Sequence, residues 1–120
     1  MPLTFEDALR IASLLGPLPG KVERSTSYGT PAIKLDGKLV ARLKEDGDSL
    51  VVGTTFEERT EMIEAEPEIY YITDHYLNAP WVLVRLSRVH PDALRDLLGR
   101  SLRLAAAQVK RQAKAARRRS

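Results

Sequence analysis

His75 stands between Asp74 and Tyr76, a grouping with the parts of acid–base chemistry, because an imidazole titrates near neutrality. No serine or cysteine nucleophile is tied to it by a motif. A hydrogen-bonding role within the fold is the alternative, and no catalytic residue is assigned. His90 precedes Pro91, where it caps a helix or lies exposed. Two histidines without ligand spacing make no metal site. The chain has no cysteine, which removes disulfides, thiolate zinc sites and thiol catalysis together. Glu45, Asp46 and Asp48 suggest calcium by charge alone. They lack the alternating oxygen ligands and closing glutamate of an EF-hand loop, so a solvated turn is expected. Gly16-Pro17-Leu18-Pro19-Gly20-Lys21-Val22 sets its glycines one residue too close for a phosphate loop and has Val22 in place of the metal-binding hydroxyl. It reads as a stiff connector, and neither a metal nor a cofactor is expected.

The remaining chemistry is cationic and aromatic. Lys34, Arg42 and Arg85 fall on extended segments, where a cation needs a solvated face or a partner. Either they pair with acids on the exposed side of a sheet, or they form a basic patch for phosphates or a small anion. Tyr28, Tyr70, Tyr71, Tyr76 and Trp81 are either core and rim residues or an exposed platform for stacking bases. Lys110, Arg111, Lys114, Arg117, Arg118 and Arg119 carry six positive charges with no acid among them.

That cluster changes the meaning of the overall charge. The chain of 120 residues has 19 Lys and Arg against 16 Asp and Glu, a net of +3. Without the six terminal cations the body carries a net of −3. Contact with a polyanion must therefore rest on the tail or on a local cluster. The length suits one domain, expected over residues 1–109 and followed by a basic tail at 110–120. No apolar run is long enough to span a bilayer, and residues 1–7 lack the pattern of a secretory signal, so a cytoplasmic location is expected.

The elements that must position these groups are legible in part. Thr4 and Asp7 form a variant capping box before a helix from Phe5 to Leu15, which Gly16 and Pro17 end. Val22 to Ser25 reads as a strand or an extended lead-in. Tyr28 to Leu43 reads as a hairpin about Asp36-Gly37, since that pair supplies the positive φ angles of a primed turn. After the turn at Glu45 to Asp48, Leu50 to Gly53 makes a strand. Thr55 and Glu58 make a full capping box for a helix from Phe56 to Ala65 that buries Phe56, Ile63 and Met62. The glutamates on that helix would repel phosphates. Ile69 to Ile72 is a short extended segment, and Trp81 to Leu86 is the strongest strand, expected at the centre of the sheet. Pro91 opens a long last helix whose apolar stripe fades after Val109, where fraying is expected. The class is α+β, an antiparallel sheet with helices packed on one face.

Three stretches carry a resemblance. Ser27 to Lys34 with its Gly-x-Pro-Ala start, Val40-Ala41-Arg42-Leu43, and Asp74-His75-Tyr76 followed by Trp81 to Leu86 make the chain similar to the MmcQ/YjbR family over most of residues 4–105. The matching positions are Tyr28, Gly29, Pro31, Lys34, Arg42, His75, Trp81 and Arg85. The resemblance implies a frataxin-like sandwich and non-enzymatic DNA binding through a double wing. The first wing would be the Asp36-Gly37 hairpin with Lys34 and Lys38; the acids of the Glu45–Asp48 turn depart from what a phosphate-binding second wing needs. The expected DNA contacts are Lys34, Lys38, Arg42, Lys110, Arg111, Lys114, Arg117, Arg118 and Arg119. The alternative is a ligand-binding or protein-interaction module with a pocket of Tyr28, Arg42, His75, Trp81 and Arg85.

Overall fold

The computed structural model describes residues 2–16 and 20–119, the side chain of Arg119 excepted. Helix α1 spans Phe5–Leu14. The Thr4 hydroxyl accepts from the Asp7 backbone N–H at 3.2 Å, and the Asp7 carboxylate accepts from the Thr4 N–H at 2.9 Å. This reciprocal pair satisfies donors that a helix start leaves open, and it holds the Asp7 carboxyl below its ordinary value. Phe5, Ala8 and Ala12 form the buried stripe. The centre of the connector that follows, Pro17 to Pro19, lies outside the described residues.

Four antiparallel strands follow: β1 Val22–Ser27, β2 Thr30–Leu35, β3 Lys38–Leu43 and β4 Ser49–Gly53. Asp36 and Gly37 have φ of +47° and +82°, the left-handed pair that the sequence predicts for the β2–β3 turn. The stretch from Tyr28 holds a second turn that the sequence reading takes for strand. Tyr28 and Gly29 also have positive φ, +53° and +78°, and they join β1 to β2 with Ser27 opposite Thr30. β1 is thereby a full partner of β2 and longer than the expected lead-in.

The sheet continues with β6 Trp81–Arg85 and β5 Tyr70–Tyr71 in the order β1-β2-β3-β4-β6-β5, antiparallel throughout. β6, expected at the centre, is next to the edge, because only Tyr70 and Tyr71 of the expected outer segment pair with it. The pleat divides the strands between two faces. One register row, Ile33–Ala41–Val52–Val82, belongs to the core packed with α1 and the long helix α3, Pro91–Arg119, through Leu94, Leu98 and Leu102. The next row, Ala32–Arg42–Val51–Leu83–Tyr71, looks the other way. Burial of the first row and the helix stripes supplies most of the hydrophobic driving force, at roughly 25 cal/mol per Å² of apolar surface.

Helix α2, Phe56–Ala65, departs from expectation. Phe56 is exposed, and the buried residue is Arg59. Its guanidinium donates to the carbonyls of Ala79 at 2.7 Å, Tyr76 at 2.8 Å, Leu77 at 3.0 Å and Trp81 at 3.2 Å. A cation saturated in this way can be buried, and it fixes the 73–80 loop against α2. Only half of the expected capping box forms. The Thr55 hydroxyl accepts from the Glu58 N–H, while the Glu58 carboxylate faces Arg100 at 3.2 Å. His90 caps α3 by accepting from the Asp92 N–H at 3.1 Å. In place of the expected fraying after Val109, α3 runs as one helix to Arg119, built at that end of Ala, Gln, Lys and Arg, which are good helix formers.

Candidate functional site

The Glu45–Asp48 turn serves the backbone, as its chemistry suggests. The Asp46 carboxylate accepts from the N–H groups of Asp48 and Ser49, each at 2.9 Å, and that of Asp48 accepts from the Ser87 N–H at 3.0 Å and hydroxyl at 2.9 Å. These carboxylates are engaged in holding a turn. Glu45 differs, because β3 places Arg42 three residues before it.

Arg42 is 6% exposed. Its Nη2 donates to the Tyr76 hydroxyl at 2.9 Å, and its Nη1 faces Thr30 Oγ1 at 3.2 Å and the Leu43 carbonyl and Glu45 Oε1 at 3.4 Å. Burial opposes the charge. The hydrogen bond to Tyr76, with the attraction of Tyr76 and Glu45, outweighs it and holds the guanidinium above its ordinary value. The Tyr28 ring lies over Arg42 with its centroid 5.2 Å from the guanidinium carbon, a cation–π contact. Tyr76 belongs to a single 3-10 turn, Asp74–Tyr76. His75 meets it edge-on, with centroids 4.8 Å apart.

These residues border two adjoining clefts. One of about 310 Å³ is lined by Tyr28, Arg42, Lys44, Glu45, Thr73, His75 and Tyr76. The other, of about 220 Å³, shares Tyr28, Arg42, His75 and Tyr76 and adds Leu39, Val51, Ala79 and Trp81. Of the five residues expected to form a pocket, Tyr28, Arg42, His75 and Trp81 meet there. Arg85 stands apart, its guanidinium 4.1 Å from the centre of the Tyr71 ring. Lys44, Glu45, Thr73 and Tyr76 were not anticipated. The available signal was the Arg42–Glu45 spacing, which a turn after a strand folds back on itself.

The expected DNA contacts divide as well. Lys34 sits opposite Glu23 in the β1–β2 register, and Lys38 opposite Leu35 beside the turn; neither lines the clefts with Arg42. Lys110, Arg111, Lys114, Arg117 and Arg118 are exposed on the distal half of α3, and the side chain of Arg119 lies outside the described residues. At 100° per residue, Arg103 joins those five within about 120° of arc, and at 1.5 Å per residue the stripe is about 22 Å long. The opposite side of α3 carries Leu94, Leu97, Leu98, Leu102 and Ala105 into the core. No acid follows Asp96 in the sequence, so no Asp or Glu side chain lies among the cations of the stripe.

The fold and site define an α+β protein with an open antiparallel sheet, a cleft on the face opposite α1 and α3, where Val51 and Leu83 are buried with Tyr76, and a cationic helical arm. The family model described as YjbR matches residues 17–104, and the chain belongs to the YjbR family. No curated protein and no solved structure matches it. The arm from Ala105 onward lies beyond the matched residues. Among the described residues no helix is long and apolar enough to cross a membrane.

Proposed function

We propose that the protein is a non-enzymatic DNA-binding protein that grips backbone phosphates with the cationic face of α3. The observation that carries this reading is the unbroken helix with Arg103, Lys110, Arg111, Lys114, Arg117 and Arg118 exposed along one side. A row of exposed cations gains affinity for a polyanion by releasing its counterions, with little regard to sequence. Lys34, Lys38 and Arg42 contribute less in this account, because Arg42 is buried among hydrogen-bond partners and Lys34 faces Glu23 across the strands. The test is binding of the full chain, and of a chain ending at Val109, to a mixed-sequence duplex at about 50 and 200 mM salt. Six phosphate contacts predict a loss of about a thousandfold between those salts. Absence of binding by the full chain at the lower salt overturns the reading.

A second reading is favoured by the convergence of Tyr28, Arg42, His75 and Trp81 on adjoining clefts. In it the clefts on the sheet face opposite α1 and α3 hold a small ligand, independently of the arm.

A further inference from the structure

We propose that the cleft bounded by Tyr28, Arg42 and His75 binds small monoanions made of one carboxylate head and an aromatic body. The inference rests on the second reading above, that this cleft is a ligand site, and it names the ligand class.

The two halves of the cleft differ in chemistry. Around the shared Tyr28, Arg42, His75 and Tyr76, one half adds Lys44, Glu45 and Thr73, and the other adds Leu39, Val51, Ala79 and Trp81. The added charges lie in one half only, so a ligand that fills both places its charged group there and apolar surface along the rest. Arg42 and Lys44 against Glu45 leave one unmatched positive charge at the polar end. A single carboxylate matches that charge, whereas a doubly charged phosphate exceeds it.

The geometry also shows how the head would be received. Arg42 is anchored through Nη2 on Tyr76 at 2.9 Å, while its Nη1 faces the exposed Glu45 carboxylate at 3.4 Å. The anchor keeps the guanidinium in place when Nη1 exchanges Glu45 for an incoming carboxylate, a stronger charge-assisted hydrogen bond at closer range. Tyr28 supplies the aromatic preference. Tyr28 is 82% exposed, yet its backbone holds a φ of +53°, a region that bulky residues avoid. Strained residues of this kind cluster at ligand clamps. Tyr28 and His75 offer exposed rings at the shared waist, and Trp81 walls the apolar end.

Trp81 is the only tryptophan in the chain, so its fluorescence is a single-site signal, which the Glu45 and Tyr28 variants assign to this cleft and not to the one that Trp81 shares with Ser101 and Leu104. The full chain is titrated with phenylacetate, with its neutral isostere phenylacetamide and with inorganic phosphate, each followed by Trp81 emission and by calorimetry. Phenylacetate is expected to saturate, phenylacetamide to bind about tenfold more weakly, and phosphate to give no response over the same range. Glu45→Gln removes the competing carboxylate and is expected to tighten phenylacetate about threefold, a gain that misfolding does not produce. Tyr28→Ala is expected to weaken it about fivefold with circular dichroism unchanged. Equal binding of phenylacetamide overturns the anion requirement and leaves the cleft a ligand site. Equal binding of phosphate overturns the aromatic requirement. Silence from all three probes in both measurements overturns the ligand class and the cleft reading together.

Discussion

The positive charges of the body and those of the arm are arranged in opposite ways. Arg24 lies over Phe5, Arg42 over Tyr28, Arg59 over Phe56 and Arg85 over Tyr71, at 5.2, 5.2, 4.9 and 4.1 Å from the ring centres. Arg24 also pairs with Glu6, Arg42 with Glu45 and Arg100 with Glu58. These body guanidiniums, then, are committed to contacts inside the fold. On the distal half of α3 the cations are exposed and share one side of a stretch that holds no acidic residue after Asp96. The difference teaches that net charge says little about polyanion binding, since a guanidinium held inside the fold does not reach a backbone of phosphates.

The comparison can be broken first at the arm. Ending the chain at Val109 is expected to reduce affinity for duplex DNA by about a thousandfold or more at low salt, yet to move stability by less than about 0.5 kcal/mol. Gel shift and urea unfolding on the same protein check the two halves of that statement. Arg59→Ala is expected to do the reverse. It leaves four carbonyls short of a donor and lowers stability by about 3 kcal/mol in urea unfolding, with DNA affinity at low salt unchanged wherever the protein is folded.

A smaller effect separates the cleft from the scaffold. Tyr28→Asn places a residue tolerant of positive φ at the turn, which relieves about 1 kcal/mol of backbone strain and loses about 0.5 kcal/mol of cation–π attraction. Stability in thermal unfolding is expected to rise slightly while binding in the cleft weakens. The smallest effect concerns pH. The Asp7 carboxyl is held below its ordinary 3.8 by its hydrogen bonds to Thr4. Asp46 is also held below 3.8: burial works the other way, but the N–H groups of Ser49 and Asp48 prevail. A carboxylate depressed in the folded state adds stability that is fully present above its unfolded value and disappears as pH falls through the folded one. Unfolding free energy is therefore expected to be flat near neutrality with respect to these groups and to decline below about pH 4, a decline that Asp46→Asn makes shallower.

Much of the fold was written in local signals. The Thr4–Asp7 box, the Asp36-Gly37 turn and Pro91 at the start of α3 were all legible, because each depends on neighbours a few residues away. Tyr28-Gly29 was not, since tyrosine favours strands and is a poor candidate for positive φ. Arg59 was missed because its partners are backbone carbonyls some twenty residues ahead, and a carbonyl has no letter in a sequence. Four of the five pocket residues were legible through the family motifs. Arg85 was misplaced because alternation along β6 gives a residue's face and not its distance from the cleft.

The measurement that bears most directly on the central claim is the salt dependence of duplex binding. It compares the full chain with a variant carrying Lys110→Gln, Arg111→Gln, Lys114→Gln, Arg117→Gln and Arg118→Gln, substitutions that keep the helix and remove its charge. With six phosphate contacts the full chain should show a slope of log affinity against log salt of about −5, and the variant a slope of about −1 or no binding. A variant that retains the slope of the full chain contradicts the account and returns the contact to the sheet.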